Sequence, residues 1–334
     1  MNLLQECVSL LRFAKIPHQG FYNSRMKFTK SIGASPVTAR TAYLLMLVSS
    51  FAFAAMSACG HAAGERMDWR IVAVARASIV LLFTVPIALV QKVRLVWNWP
   101  RTLWIRSITG SISMLLTFYA LTHIDISTCI TFTNTFPLWV LVLAWPLLGA
   151  RPTLGAGLAL LSGIAGVALI EQPHPGEIRI ASLMALGAAF CSALVMIGLH
   201  RLKHLHPLSI VVHFSALASI VCIGYAITTH VAGQPLSLAP LANPGNVALL
   251  LALGALASIG QFLMTKAFSM TLPQKLSVVG LSQVVFALGF DLLVWGRRFD
   301  WMTFAGIALV VAPVAWLLIG RKPKVEVSDS APPA

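Results

Sequence analysis

Thr128-Cys129-Ile130-Thr131-Phe132-Thr133-Asn134-Thr135-Phe136-Pro137 opens a stretch that stays apolar to Leu148, breaks at Gly149-Ala150-Arg151-Pro152 and resumes from Leu154 to Ile170. Each apolar run is about 20 residues, enough for a helix to cross roughly 30 Å of hydrocarbon. The break carries Gly149 and Pro152, which stop one helix and start another, with Arg151 as its only charge. The pattern predicts a helical hairpin in lipid. Its first helix is oddly polar: at 100° per residue, Thr128, Thr131, Asn134 and Thr135 share about a third of the circumference, and Pro137 closes the stripe. Such a stripe predicts a helix that faces a cavity. The competing reading is that these side chains hydrogen-bond neighbouring helices.

Composition agrees with a membrane chain. Of 334 residues, 58% are hydrophobic and 10% charged, against about 25% charged in soluble domains; the mean hydropathy is +0.84. The expected fold class is therefore all-α and integral to the membrane. Ten apolar segments emerge, near 41–60, 71–91, 103–122, 127–149, 153–170, 180–199, 208–229, 247–267, 276–296 and 301–319.

The net charge of +14 is a topology signal. With both ends inside, 18 of the 24 Lys and Arg fall in inner segments, among them Arg94, Arg101, Arg106, Arg151 and Lys203. Five fall in outer loops, and Arg76 lies within a span. The positive-inside rule then puts both termini in the cytoplasm of a cell whose inner membrane holds the chain, with some attraction to anionic lipid. No nucleic-acid partner is needed. Five scattered cysteines show no metal-ligand spacing; neither metal nor cofactor is expected. No Walker-type glycine loop suggests direct use of ATP.

Residues 1–40 read as a cytoplasmic extension, in which Leu3, Leu4, Cys7, Leu11 and Ala14 line one face of a helix suited to the inner leaflet; Met26, ahead of a basic stretch, is an alternative start. Residues 171–179, with Pro173, Pro175 and Gly176, form a linker between a first unit at 41–170 and a second at 180–319, and 320–334 form a tail. The second unit restarts the pattern. Gly296 follows Gly149, and Ala267-Phe268 follows Ala120-Leu121, at an offset of 147. Arg76 falls on His213 at an offset of 137, the missing ten residues being an insertion in the 235–246 loop. Two copies of a five-span unit must lie in opposite orientations, because five is odd. The expectation is ten transmembrane helices as two inverted five-helix repeats.

With Arg76 in the second span, Ala120-Leu121 before a short turn, Pro137 in the fourth span and the Gly149 and Gly296 span ends, the chain resembles the ten-helix, EamA-type drug/metabolite transporters over about residues 40–320. The resemblance implies a substrate cavity between the repeats near the bilayer midplane, alternating access, and small metabolites or drugs as substrates. Two departures stand out. The family's usual Gly-Glu-Arg at the fourth and ninth span ends carries Ala150 and Arg297 in its middle position. The glutamate that the four-helix multidrug branch has in its first span finds no counterpart between Thr41 and Gly60.

Charges in hydrocarbon are costly, so Arg76 and Asp291, at similar outer depths, are expected to pair or to share an outer vestibule. Their role is gating or coupling, the alternative being a static pair that fixes helix position. His213 is the inner counterpart of Arg76. Ser258, Gln261 and Thr265 form a second polar stripe, whose positions one repeat earlier are Ser111, Met114 and Phe118. With Thr131, Asn134, Thr135, Pro137 and Gln283, and with Tyr119 and Trp139 as aromatic faces, they are expected to line a cavity that is polar but uncharged apart from its rim. That lining suits a small zwitterion or amide-bearing metabolite. His200, His204 and His206 lie among Arg201 and Lys203 and read as a solvated basic loop.

The resulting expectation is a secondary transporter for a small, polar, amino-acid-like metabolite, with export favoured and proton coupling among the mechanisms allowed. The alternatives are a multidrug or cationic-amphiphile exporter and, from a different class, a membrane-embedded enzyme. The enzyme would need clustered His and acidic ligands or a nucleophile–base set, and most of the ten acids lie in loops, edges or tails.

Overall fold

A backbone without water to bond to must satisfy itself, which in a single apolar segment means a helix. In the computed structural model, residues 36–98, 100–123, 132–149, 154–171, 180–296 and 300–319 are described, and all their regular structure is helical. In chain order the helices are α1 (Pro36–Gly64), α2 (Trp69–Val90), α3 (Arg101–His123), α4 (Phe136–Leu148), α5 (Leu154–Glu171), α6 (Ile180–Arg201), α7 (Pro207–Val231), α8 (Pro244–Met270), α9 (Pro273–Gly280), α10 (Ser282–Trp295) and α11 (Trp301–Ile319), with a 3₁₀ turn at Ala239–Ala242. Six segments are long and apolar enough to cross a membrane, the sixth running from Pro273 to Val294 through α9 and α10. The expected N-terminal helix, Thr128, Thr131, the linker and the 320–334 tail lie outside the described residues.

Local chemistry sets the ends. Asp68 caps α2 by accepting from the Arg70 amide at 2.8 Å. Arg70 in turn reaches Asp68 at 2.7 Å and donates to Thr229 Oγ1 and the Gln234 carbonyl, tying α2 to the end of α7. These bonds from Arg70 hold the Asp68 carboxyl below its usual range. His206 caps α7 by accepting from the Leu208 amide, so part of the histidine-rich loop is capping structure. Gly149 and Gly296 end α4 and α10 with φ of +67° and +64°, a left-handed backbone that a side chain would strain. They are the two glycines that the 147 offset paired.

The same offset organises the packing. α1 lies along α8 and α3 along α6; α8 also packs on α2, and α3 on α7. α2 packs on α7 and α5 on α11, each helix thus meeting its own counterpart. Ser113 Oγ donates to the Ala188 carbonyl across α3–α6, and the Gly260 carbonyl accepts from Ser49 Oγ across α8–α1. Ser113 and Gly260 are 147 residues apart. Across α5–α11, Ser162 Oγ donates at 3.0 Å to the carbonyl of Leu309, its own counterpart. Glycine lets that crossing close: a Cβ on Gly166 would sit 2.6 Å from the Gly306 carbonyl oxygen. Large apolar side chains such as Leu82, Val142, Leu293 and Trp316 point outward, as a lipid-facing surface requires.

One expectation is corrected. The fourth and ninth spans, read as continuous, are both interrupted: Phe132 and Thr133 are helical, Asn134 and Thr135 form a turn, and α4 begins at Phe136. The ninth breaks between α9 and α10 at Leu281, which is 134 plus 147. Pro137 explains the first break, because in mid-helix its ring would clash with the carbonyl of Thr133. In the first turn of a new helix it fits, since its missing N–H would have no intrahelical partner there. A uniform 100° count therefore does not carry past the turn at Asn134 and Thr135 into α4.

Candidate functional site

α2, α3, α7 and α8 enclose a pocket lined by Arg76, Ala77, Val80, Met114, Phe214, Ser215, Ala218, Ala257 and Gln261. Four of these residues form two pairs at the repeat offsets: Met114 with Gln261, at 147, and Ala77 with Phe214, at 137. Both units thus contribute the same positions to one cavity. Its open volume is about 10 Å³, room for about one water and far below the roughly 300–1,000 Å³ of sites that enclose a drug-sized ligand. The pocket is nearly filled by its own side chains.

The pocket's polar side chains are Arg76, Ser215 and Gln261, of which Arg76 is donor-only. The Arg76 guanidinium donates to Met114 Sδ at 2.8 Å and to Met56 Sδ at 3.4 Å. A thioether is a weak acceptor, so these contacts replace little of the hydration that a guanidinium loses. Gln261 is buried and its Nε2 has no hydrogen-bond partner. Ser215 Oγ is committed to the Val211 carbonyl at 2.8 Å. Among the described residues the ion pairs are His61–Glu65 and Arg70–Asp68, neither at this pocket. A buried ion without a counter-charge costs several kcal/mol. An oxygen-bearing ligand would relieve that cost.

The cavity expected to be polar and uncharged has largely apolar walls around one cation and one amide. Of the expected lining, Gln261 is in place. Ser258 Oγ and Ser111 Oγ turn back on the Gly254 and Ser107 carbonyls, at 2.8 and 2.9 Å. Thr135 Oγ1 donates to the Phe132 carbonyl at the α4 break. Asn134 sits in the same turn, half-buried, and Pro137 is buried beside it. Tyr119, in α3, and Gln283, in α10, are half-buried. Trp139 packs edge-on against Phe190 of α6, ring centroids 5.4 Å apart. Asp291 belongs to α10, but its side chain lies outside the described residues, and Arg76 is met by the two methionines.

His213 is buried, and its Nδ1 shares a hydrogen bond of 2.8 Å with Ser107 Oγ. The Trp97 and Trp104 rings pack on it, with centroids 4.9 and 4.8 Å away. It adjoins the residue that sequence reasoning missed. Arg106, grouped there with cytoplasmic charge, is 1% exposed inside the bundle. Its guanidinium lies 4.1 Å over the Phe214 ring, and its Nε and Nη1 have no hydrogen-bond partner. Pro100 marks the start of α3 and so places Arg106 in its second turn, a signal hidden by the basic Gln91–Arg106 context. A desolvated cation–π contact is worth about 2 kcal/mol, less than the several kcal/mol that burying the charge costs.

Residues 40–172 and 179–319 each match the EamA-like transporter family. The chain belongs to that family. Among curated proteins, the pseudopaline exporter CntI of Pseudomonas aeruginosa is similar, in strains UCBPP-PA14 and PAO1. Each is 25% identical over 291 residues, covering 85% of this chain and 98% of the relative. A solved crystal structure of 16% identity aligns with a TM-score of 0.70 over 85% of this chain and 98% of its own, a likeness of fold alone. This EamA-like chain is accordingly a multi-pass membrane transporter, built of two matching halves with a shared pocket where they meet.

Proposed function

We propose that the chain is a secondary active transporter that exports a small polar organic metabolite by alternating access. In this reading ten spans form two inverted five-helix repeats with both termini in the cytoplasm. The observation that carries it is the pocket walled by repeat-equivalent residues, Met114 opposite Gln261 and Ala77 opposite Phe214. A cavity on the axis relating two inverted units can open to one face and then, by the equivalent movement of the other unit, to the opposite face. A pocket nearly filled by its own side chains fits a state between the two openings. The interruptions at Asn134–Thr135 and Leu281, at equivalent positions in the two units, would supply paired hinges, since a few residues at helix ends can absorb a change of backbone angles. Export is supported by the relative's name as an exporter.

Arg76 and Gln261 would hold the substrate through its oxygen atoms, because both present N–H donors to the cavity. Proteoliposomes loaded with a defined metabolite mixture, with and without a pH gradient, test this reading. The expected result is release of at least one polar metabolite by the wild type, with Gln261→Leu reducing its apparent affinity about tenfold, the loss of one or two hydrogen bonds. Release of no metabolite, or a Gln261→Leu variant equal to wild type for those released, would contradict it.

A further inference from the structure

We infer that Arg106 is an inner anion station: a carboxylate-bearing substrate held at Arg76 passes to Arg106 around the Phe214 ring that separates them. The inference rests on the transport reading and names its substrate class. Phe214 has two occupied sides. It lines the pocket that contains Arg76 and Gln261, and it carries the Arg106 guanidinium 4.1 Å over its ring. Arg106 is buried, with Nε and Nη1 both unpartnered. A guanidinium presents its N–H groups as a fork that matches the two oxygens of a carboxylate.

Among the described residues no acid is placed to fill that fork. Every acid between residues 40 and 320 lies in, or within about six residues of, a segment that the proposed topology assigns to the outer face. Arg106 is in the second turn of α3, at its inner end. The position one repeat on, 253, is a buried leucine, so this fold packs the site with an aliphatic side chain where no ligand function is required. The Ser107–His213 hydrogen bond of 2.8 Å fixes α3 to α7 beside Arg106 and Phe214. Binding at Arg106 would compete with the ring for the guanidinium and free Phe214 to move.

The test uses the full chain in lipid nanodiscs and in proteoliposomes, with glutarate and citrate as carboxylate probes and glutaramide as the uncharged match. Glutarate or citrate is expected to raise the unfolding midpoint of the wild type by about 2–5 °C over glutaramide. Arg106→Leu and Arg106→Met are expected to melt higher than wild type without solute and to lose that rise, and to release carboxylates at least tenfold more slowly from proteoliposomes. A lower midpoint in both variants would make the guanidinium a structural strut and overturn the inference. So would stabilisation by glutaramide equal to that by the carboxylates. Neutral solutes released equally by wild type and Arg106→Leu, with carboxylates retained by both, would leave the transport reading standing and remove the station. Carboxylate stabilisation lost in Arg106→Leu, with no solute released, would keep the station and remove transport.

Discussion

Arg76→Leu is expected to abolish concentrative transport while leaving a folded protein that is at least as stable as the wild type. The guanidinium is half-buried and is held by the Met56 and Met114 sulfurs, acceptors too weak to account for its place in the bundle. Removing it relieves a desolvated charge, so stability has little to lose. The substrate loses its principal donor. Hydrogen bonds to a charged group contribute about 1.5–3 kcal/mol each, so affinity should fall about 10- to 100-fold per bond, and further if the contact is bidentate. Arg76→Lys keeps the charge but not the fork and should recover only part of the activity. Efflux rates from proteoliposomes, read beside the thermal midpoint of the same preparations, check this. A variant that unfolds early would mark Arg76 as a structural residue.

The second large effect concerns the crossing of α5 and α11. A Cβ on Gly166 would lie 2.6 Å from the Gly306 carbonyl oxygen, 2.8 Å from Val310 Cγ2 and 3.0 Å from Leu309 Cβ. The first of these is backbone and cannot rotate away, so the helices must separate. The Ser162–Leu309 hydrogen bond, in the same crossing, would be strained with them. Gly166→Ala is expected to destabilise the protein by about 1–3 kcal/mol, and Gly166→Leu to prevent accumulation of folded protein. Gly157, in the same helix, has open space where its Cβ would stand; Gly157→Ala should be neutral or stabilising by up to about 1 kcal/mol. The midpoints of the two alanine variants in one detergent make the comparison. Equal effects would remove the close crossing from the account.

The duplicated architecture was legible in the sequence because it depends on spacing. Apolar runs, the Gly149 and Gly296 stops and the Ala120-Leu121 recurrence all repeat at fixed offsets, and the helices pack in pairs that exchange under those offsets. Gln261 was legible as part of a polar stripe, and Arg76 as a charge within a span. The breaks in the fourth and ninth spans were not legible, since hydropathy is blind to whether an apolar run keeps one helical path. Only weak helix formers mark them, Asn134 and Thr135 before Pro137 in one case, Gly280 before Leu281 in the other. Arg106 was missed because three tryptophans and three other basic residues nearby read as one interfacial loop, although α3 already begins at Arg101. Its depth is a tertiary property, set by the packing of α6 and α7 around it: a Cβ on Gly198 would lie 3.2 Å from Arg106 Cβ.

The central claim is that the two units are inverted about the shared pocket, and loop sidedness tests it most directly. Arg94, in the α2–α3 loop, and Gln234, in the α7–α8 loop, are both exposed and lie in corresponding loops of the two units. In a background with all five native cysteines replaced by serine, Arg94→Cys and Gln234→Cys would be labelled with a membrane-impermeant maleimide on intact cells and after permeabilisation. The account predicts that position 234 is labelled from outside and position 94 only once the membrane is opened. Labelling of both from the same side would contradict it.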